Sequence, residues 1–205
     1  MTDKTPLTAR LDCADGRRLG DLTLIERDLK QTVALCDRIL AVLGQPKADQ
    51  VVIEGLWTAA LVAYARCFAS GKRIPLGQAL FDSVAPHWKK EHEFFSDLRS
   101  KHIAHSVNEF EQVQVGVQLH RPDINRRGVV CTVVSMRHVF TASFEKVNSL
   151  RALASVVLTK VSAELSGAEA RLRATADALL LVDLYALPPI EHAEPDYERV
   201  ARPRR

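Results

Sequence analysis

The stretch SFEKVNSLRALASVVLTKVSAELSGAEARLRATADALLLV, residues 143–182, decides the fold class. Leu150, Ala154, Val157, Val161, Leu165, Ala168 and Leu172 recur every three or four residues and lay one apolar stripe along an α-helix. Ser143 is a natural N-cap for it. The spacing predicts one long helix to about Val182, with Gly167 the place for a bend. The alternative is a restart through Ser166-Gly167 and Glu169, which have capping-box spacing. So long and steady a stripe suits helix-on-helix packing, within a chain or between subunits.

Working back towards the N-terminus, the same period recurs. Ile25, Leu29, Val33, Cys36, Leu40 and Leu43 form a stripe that Asp21 can cap and Gly44 and Pro46 stop. Asp49 caps a second expected helix, reaching about Ser70 before Gly71. It is apolar nearly all round (Val51, Val52, Leu56, Trp57, Leu61, Val62, Tyr64), so a central position is expected. Residues 72–85 read as a basic loop with a short helix near Leu80. Pro86 suits the first turn of a further helix to about His105, with Phe94, Phe95, Leu98 and Ile103 on its buried side.

Beyond Asn108 the period becomes two. Val113, Val115, Val117 and Leu119 alternate with Gln114, Gly116 and Gln118, the pattern of a half-buried strand. Turn residues Pro122, Asp123, Asn125 and Gly128 lead to a second β-rich run, Val129 to Val139. A hairpin over about 112–139 follows, laid on the helices or projecting from them. It must pack on something, because an isolated hairpin is marginal in water. The expected organisation is a polar leader (1–18), one helical domain (19–183) and a charged, proline-containing tail (184–205).

Composition narrows the function classes. The 205 residues are 47% hydrophobic and 26% charged, with net charge +3, too little to signal nucleic-acid binding without local clustering. The N-terminus has charges where a signal peptide has an apolar core, and the longest apolar run, about 55–65, is half of the ~20 residues that a membrane span needs. A cytoplasmic protein is expected. The four cysteines (Cys13, Cys36, Cys67, Cys131) make no C-x-x-C pair and no zinc-spaced cluster, so reduced thiols and no metal are expected. No P-loop, G-x-S-x-G elbow or G-x-G-x-x-G is present.

Chemistry concentrates in Leu98-Arg99-Ser100-Lys101-His102-Ile103-Ala104-His105-Ser106. On an α-helix, residues three apart lie about 60° apart round the axis, so Arg99, His102 and His105 form one slanting strip. A permanent cation then shares a surface with an imidazole that titrates near neutrality. That pair suits RNA cleavage. Histidine can take the proton of the attacking 2′-OH or supply one to the leaving 5′-oxygen, while guanidinium binds the phosphoryl oxygens. Two copies facing each other across a dimer axis would double both groups.

R-x5-H near the end of a late amphipathic helix resembles the R-x(4–6)-H signature of the HEPN superfamily. The wording of residues 98–106 is similar to its phage-defence and abortive-infection members. Ala63-Tyr64-Ala65-Arg66-Cys67-Phe68, followed by Gly71-Lys72-Arg73, resembles the second helix and loop of that branch. The resemblance implies a mainly α HEPN-like bundle of four to six helices, here with a hairpin insertion and a long C-terminal helix. It also implies a homodimer with facing motifs, and a metal-independent endoribonuclease of a phage-defence or toxin–antitoxin system, with RNA as substrate and an antitoxin or defence protein as partner. The alternative is a non-catalytic dimer that binds RNA, a nucleotide or a protein. Arg99 takes the arginine role and His105 the histidine role, with His102, Ser100, Arg66 and Lys72 in support and no cofactor. Catalytic members commonly carry Asn, Asp or His after the arginine, where this chain has Ser100.

Plainer roles stand beside these. His105 could serve the helix dipole as a C-terminal cation. His102 could be a packed histidine, and Arg99 could pair with Asp97 or Glu93. His87 and His92 are expected in solvent. Arg121, Arg126, Arg127 and Arg137, against the single acid Asp123 between Gln112 and Phe144, could track a phosphate backbone or simply solvate a turn.

Overall fold

A computed structural model describes residues 7–69, 74–77, 81–83, 86–103, 111–121 and 128–192. Helix α1 spans Ala14–Leu43. It begins well before the expected cap, inside what reads as polar leader. Cys13 is the N-cap, its Sγ accepting from the Gly16 N–H at 3.3 Å. A Cβ on Gly16 would stand 2.8 Å from the Leu11 carbonyl oxygen, so glycine is needed there. Asp21 is buried within the helix, and its carboxylate accepts from the Ile74 N–H at 3.0 Å. It caps a neighbouring segment, not its own helix.

Asp49 does cap α2 (Gln50–Arg66), accepting from the Val52 N–H at 3.2 Å. The helix ends at Arg66, a turn short of expectation, and Ser70 and Gly71 lie outside the described residues. Only one side of α2 is central. Trp57, Leu61 and Tyr64 are buried, while Val51 and Val52 face outwards. Residues 81–83 are helical, and Leu80 lies outside the described residues.

A 3-10 turn, Pro86–Trp88, leads into α3 (Lys89–Asp97), and Leu98–Ile103 continues as a π-helix. The sequence pattern accounts for the change of winding. Leu98 is buried and Ile103 packs against the core. Five residues apart on an α-helix, they would point about 140° away from each other. Winding with i→i+5 bonds turns both inwards. Arg99 and His102 are therefore not spaced as on the α-helical strip expected of them, and His105 lies outside the described residues.

Strands β1 (Glu111–Leu119) and β2 (Val129–His138) form the expected antiparallel hairpin. Gly128, at φ 125°, turns the chain into β2, a conformation that favours glycine. Val113, Val115, Val117 and Leu119 stand opposite Met136, Val134, Thr132 and Val129 on one face. Gln112, Gln114 and Gln118 stand opposite Arg137, Ser135 and Cys131 on the other. The strands are not half-buried as expected. The apolar face is open, because the hairpin lies across no helix among the described residues.

Ser143 caps α4 (Phe144–Asp177), its Oγ accepting from the Lys146 N–H at 3.2 Å. The helix runs unbroken through Gly167. It stops at Asp177, short of Val182, because α1 begins opposite Leu172 and leaves the last turns without a partner. A short α5, Leu181–Tyr185, follows. The start of the tail is tied down: Ala9 bridges Pro189, and the Arg10 N–H donates to the Pro188 carbonyl at 2.7 Å.

The frame is α1 packed antiparallel on α4. Arg171 meets Asp15 (3.2 Å), Arg18 meets Glu164 (3.0 Å), Ser162 donates to Glu26 (3.1 Å), and Arg151 pairs with Asp37. Between these polar rims Leu22, Ile25, Leu29 and Ile39 interlock with Leu150, Leu153, Val157 and Val161, all buried. Each is worth roughly 1.5–3 kcal/mol on burial. Helix α2 lies along α1, and α3 closes the core over α2 and the start of α4, where Lys146 Nζ sits 4.6 Å from the centre of the Phe94 ring. No helix among the described residues is long and apolar enough to cross a membrane.

Candidate functional site

Phe95 anchors the segment that carries the motif. It is fully buried, edge-on to Trp57 at 6.0 Å between ring centres. The Trp57 indole N–H donates in turn to Thr141 Oγ1 at 3.0 Å, which ties α2 to the strand-to-α4 connection. The π segment leaves this anchor, and Arg99 follows the buried Leu98 directly. Arg99 is half-buried and makes no ion pair among the described residues. Asp97, one of its expected partners, is taken by Lys101 at 3.1 Å. Ser100 donates its hydroxyl to the Asp97 carbonyl at 3.3 Å. His102 belongs to the same segment, but its side chain lies outside the described structure, as do His105 and Lys72 altogether.

Arg66 stands elsewhere. It ends α2, nine residues past Trp57, and so sits roughly 14 Å along the helix from the Trp57–Phe95 contact. Its guanidinium faces Asp28 at 3.7 Å, and Arg27 approaches the same carboxylate at 3.4 Å. The Asp28 side chain is wholly buried, so Arg66 serves to neutralise an interior charge. The hairpin arginines are dispersed too. Arg137 sits opposite Gln112 at the open end, while Arg121 follows β1 at the turn end, roughly 30 Å away at strand rise. Arg126 and Arg127 lie outside the described residues.

A cleft of about 120 Å³ adjoins the motif, lined by Glu54, Trp57, Thr58, Ile103, Val139, Phe140 and Thr141. Small-molecule sites usually need ~300 Å³ or more. Its one charged group among the described residues, Glu54, would repel a phosphate. By itself this cleft does not hold a nucleotide, and an RNA site at the motif needs walls from further residues or a second chain. Among the described residues no group of three His, Cys, Asp or Glu side chains stands close enough to hold a metal ion.

One ionisable cluster escaped the sequence. His92 is packed, not solvated, among Phe81 (4.3 Å between ring centres), Phe68 (4.5 Å) and Tyr64 (5.8 Å). Tyr64 Oη lies 2.8 Å from His92 Nδ1. Burial raises the Tyr64 pKa, so its hydroxyl keeps the proton, and the direction of the bond to Nδ1 follows the His92 tautomer. Burial lowers the His92 pKa, against a smaller upward pull from Glu93, and favours the neutral ring. The available signal was spacing, since His92 lies three residues before Phe95 and shares its face. Cys36 is no nucleophile: burial, reinforced by Asp37, pushes its thiol up to about 12.

Comparison with protein-family models, with curated proteins and with solved structures gives no match for this chain.

Proposed function

We propose that this chain is a metal-independent endoribonuclease of HEPN type, acting as a homodimer in a phage-defence or toxin–antitoxin system. In this scheme His105 takes the 2′-OH proton, the 2′-oxygen attacks phosphorus, and the P–O5′ bond breaks. The second copy's histidine protonates the departing 5′-oxygen. The products are a 2′,3′-cyclic phosphate and a 5′-hydroxyl. Arg99 from each copy binds the phosphoryl oxygens as negative charge gathers there. The observation that carries the reading is Arg99: a half-buried guanidinium with no ion pair among the described residues, at the head of the R-x5-H motif. A cation held so has spare capacity for an anion.

Ser100 favours a second reading, a dimer that binds RNA without cutting it. Its hydroxyl is occupied by the Asp97 carbonyl and adds no acid or base to the site. The two readings separate in one assay. Labelled RNA is incubated with the purified protein in EDTA, and product ends are typed. Cyclic-phosphate ends, reduced ~10²–10⁴-fold by Arg99→Ala or His105→Ala, are expected of the nuclease. Binding without cleavage supports the second reading, and cleavage that survives both substitutions refutes the assignment.

A further inference from the structure

We propose that the apolar face of the β1–β2 hairpin is a self-association surface, covered in solution by the same face of a second copy. The hairpin is two-sided, with cross-strand pairs Val113–Met136, Val115–Val134 and Leu119–Val129 on one face and Gln112, Gln114, Gln118, Ser135 and Arg137, with Val133 and Cys131 among them, on the other. Such segregation marks a sheet with one side buried, yet the apolar side chains remain exposed, from 53% at Val117 to 76% at Val115. No helix among the described residues lies across them.

Area points to a second copy as the occupant. Seven apolar side chains lie open on this face, at roughly 100 Å² each. That is on the order of 700 Å² per copy, near the ~800 Å² that each partner contributes to a stable interface. It also exceeds the few hundred Å² of contiguous apolar surface that monomers usually tolerate. The pairs from Val113–Met136 to Leu119–Val129 carry no charge, and Glu111 opposite His138 follows on the same face at its open end. Packed about a twofold axis, two such faces would keep Arg137 of both copies outside, where like charges stay in water. The contact would also supply what a lone two-stranded sheet lacks, a dry side. This inference does not rest on RNA cleavage.

The test is the mass of the full chain in solution by light scattering and sedimentation, at tens of micromolar. The wild type is expected at twice the chain mass. Val115→Glu with Val134→Glu puts two acids at the centre of the face and is expected to raise the dissociation constant at least ~100-fold. Helical circular dichroism should be unchanged, since the hairpin supports no helix. Gln114→Glu with Ser135→Glu makes the same charge change on the opposite face and is expected to leave the dimer intact. A monomeric wild type overturns the proposal, including one that binds lipid vesicles or another protein through this face. So does a dimer that survives the Val115/Val134 change. That last outcome places the interface on the helices and leaves the nuclease reading standing.

Discussion

At the scale of single residues, the buried polar groups separate structure from chemistry. Burial among aromatic rings lowers the His92 pKa and favours its neutral form, in a hydrogen bond with Tyr64. The lowered pKa fixes a sign. Below ~6.5 the unfolded chain binds a proton at this position that the folded chain resists. Folding stability should therefore fall as pH drops from 7.5 to 5. Urea midpoints should show a steeper acid loss for the wild type than for His92→Gln, and equal slopes would refute the assignment. Arg66 teaches the complementary lesson. Its sequence context suggests a phosphate ligand, but its geometry commits it to Asp28. One chain position says nothing of which acid lies across an interface, because Asp28 comes from another helix. For Arg99 the candidate acids, Asp97 and Glu93, could be named because they lie on its own helix, yet neither pairs with it and Asp97 goes to Lys101.

At the scale of elements, capping and periodicity were legible where local chemistry decides. Asp49 and Ser143 cap as their sequences indicate, and the hairpin strands fall where the period changes. The misses have tertiary causes. Helix α1 extends back through two glycines because Asp15 and Arg18 find partners on α4. The π segment was invisible to an argument that assumed 3.6 residues per turn. Its winding is testable through Ile103. On an uninterrupted α-helix that residue would turn away from Leu98 and tolerate a charge. Here Ile103→Asp should cost at least ~1–3 kcal/mol, measured as a lowered denaturation midpoint. A neutral result would mean the segment is α-helical. The winding also matters for the motif, since it resets the angle between Arg99 and Ile103.

At the scale of the whole molecule, the helical class and the long terminal helix could be read from one stripe, while the partner of that stripe could not. Apolar periodicity says that a face is buried, not against what. The partner proved to be α1, at the other end of the sequence. A fragment ending at residue 143 keeps α1 and α2 but loses Leu150, Leu153, Val157 and Val161 from the interface. It should show no cooperative thermal unfolding by circular dichroism, whereas the full chain should melt in one transition. The same pairing of distant segments shapes biosynthesis. One hundred residues separate Leu43 from Phe144. At the ribosome's ~5–20 residues per second, the nascent first helix waits on the order of 5–20 s with its greasy side bare. Only the side that α2 covers is sheltered meanwhile, so the rest of the stripe is exposed to any chaperone that meets the nascent chain.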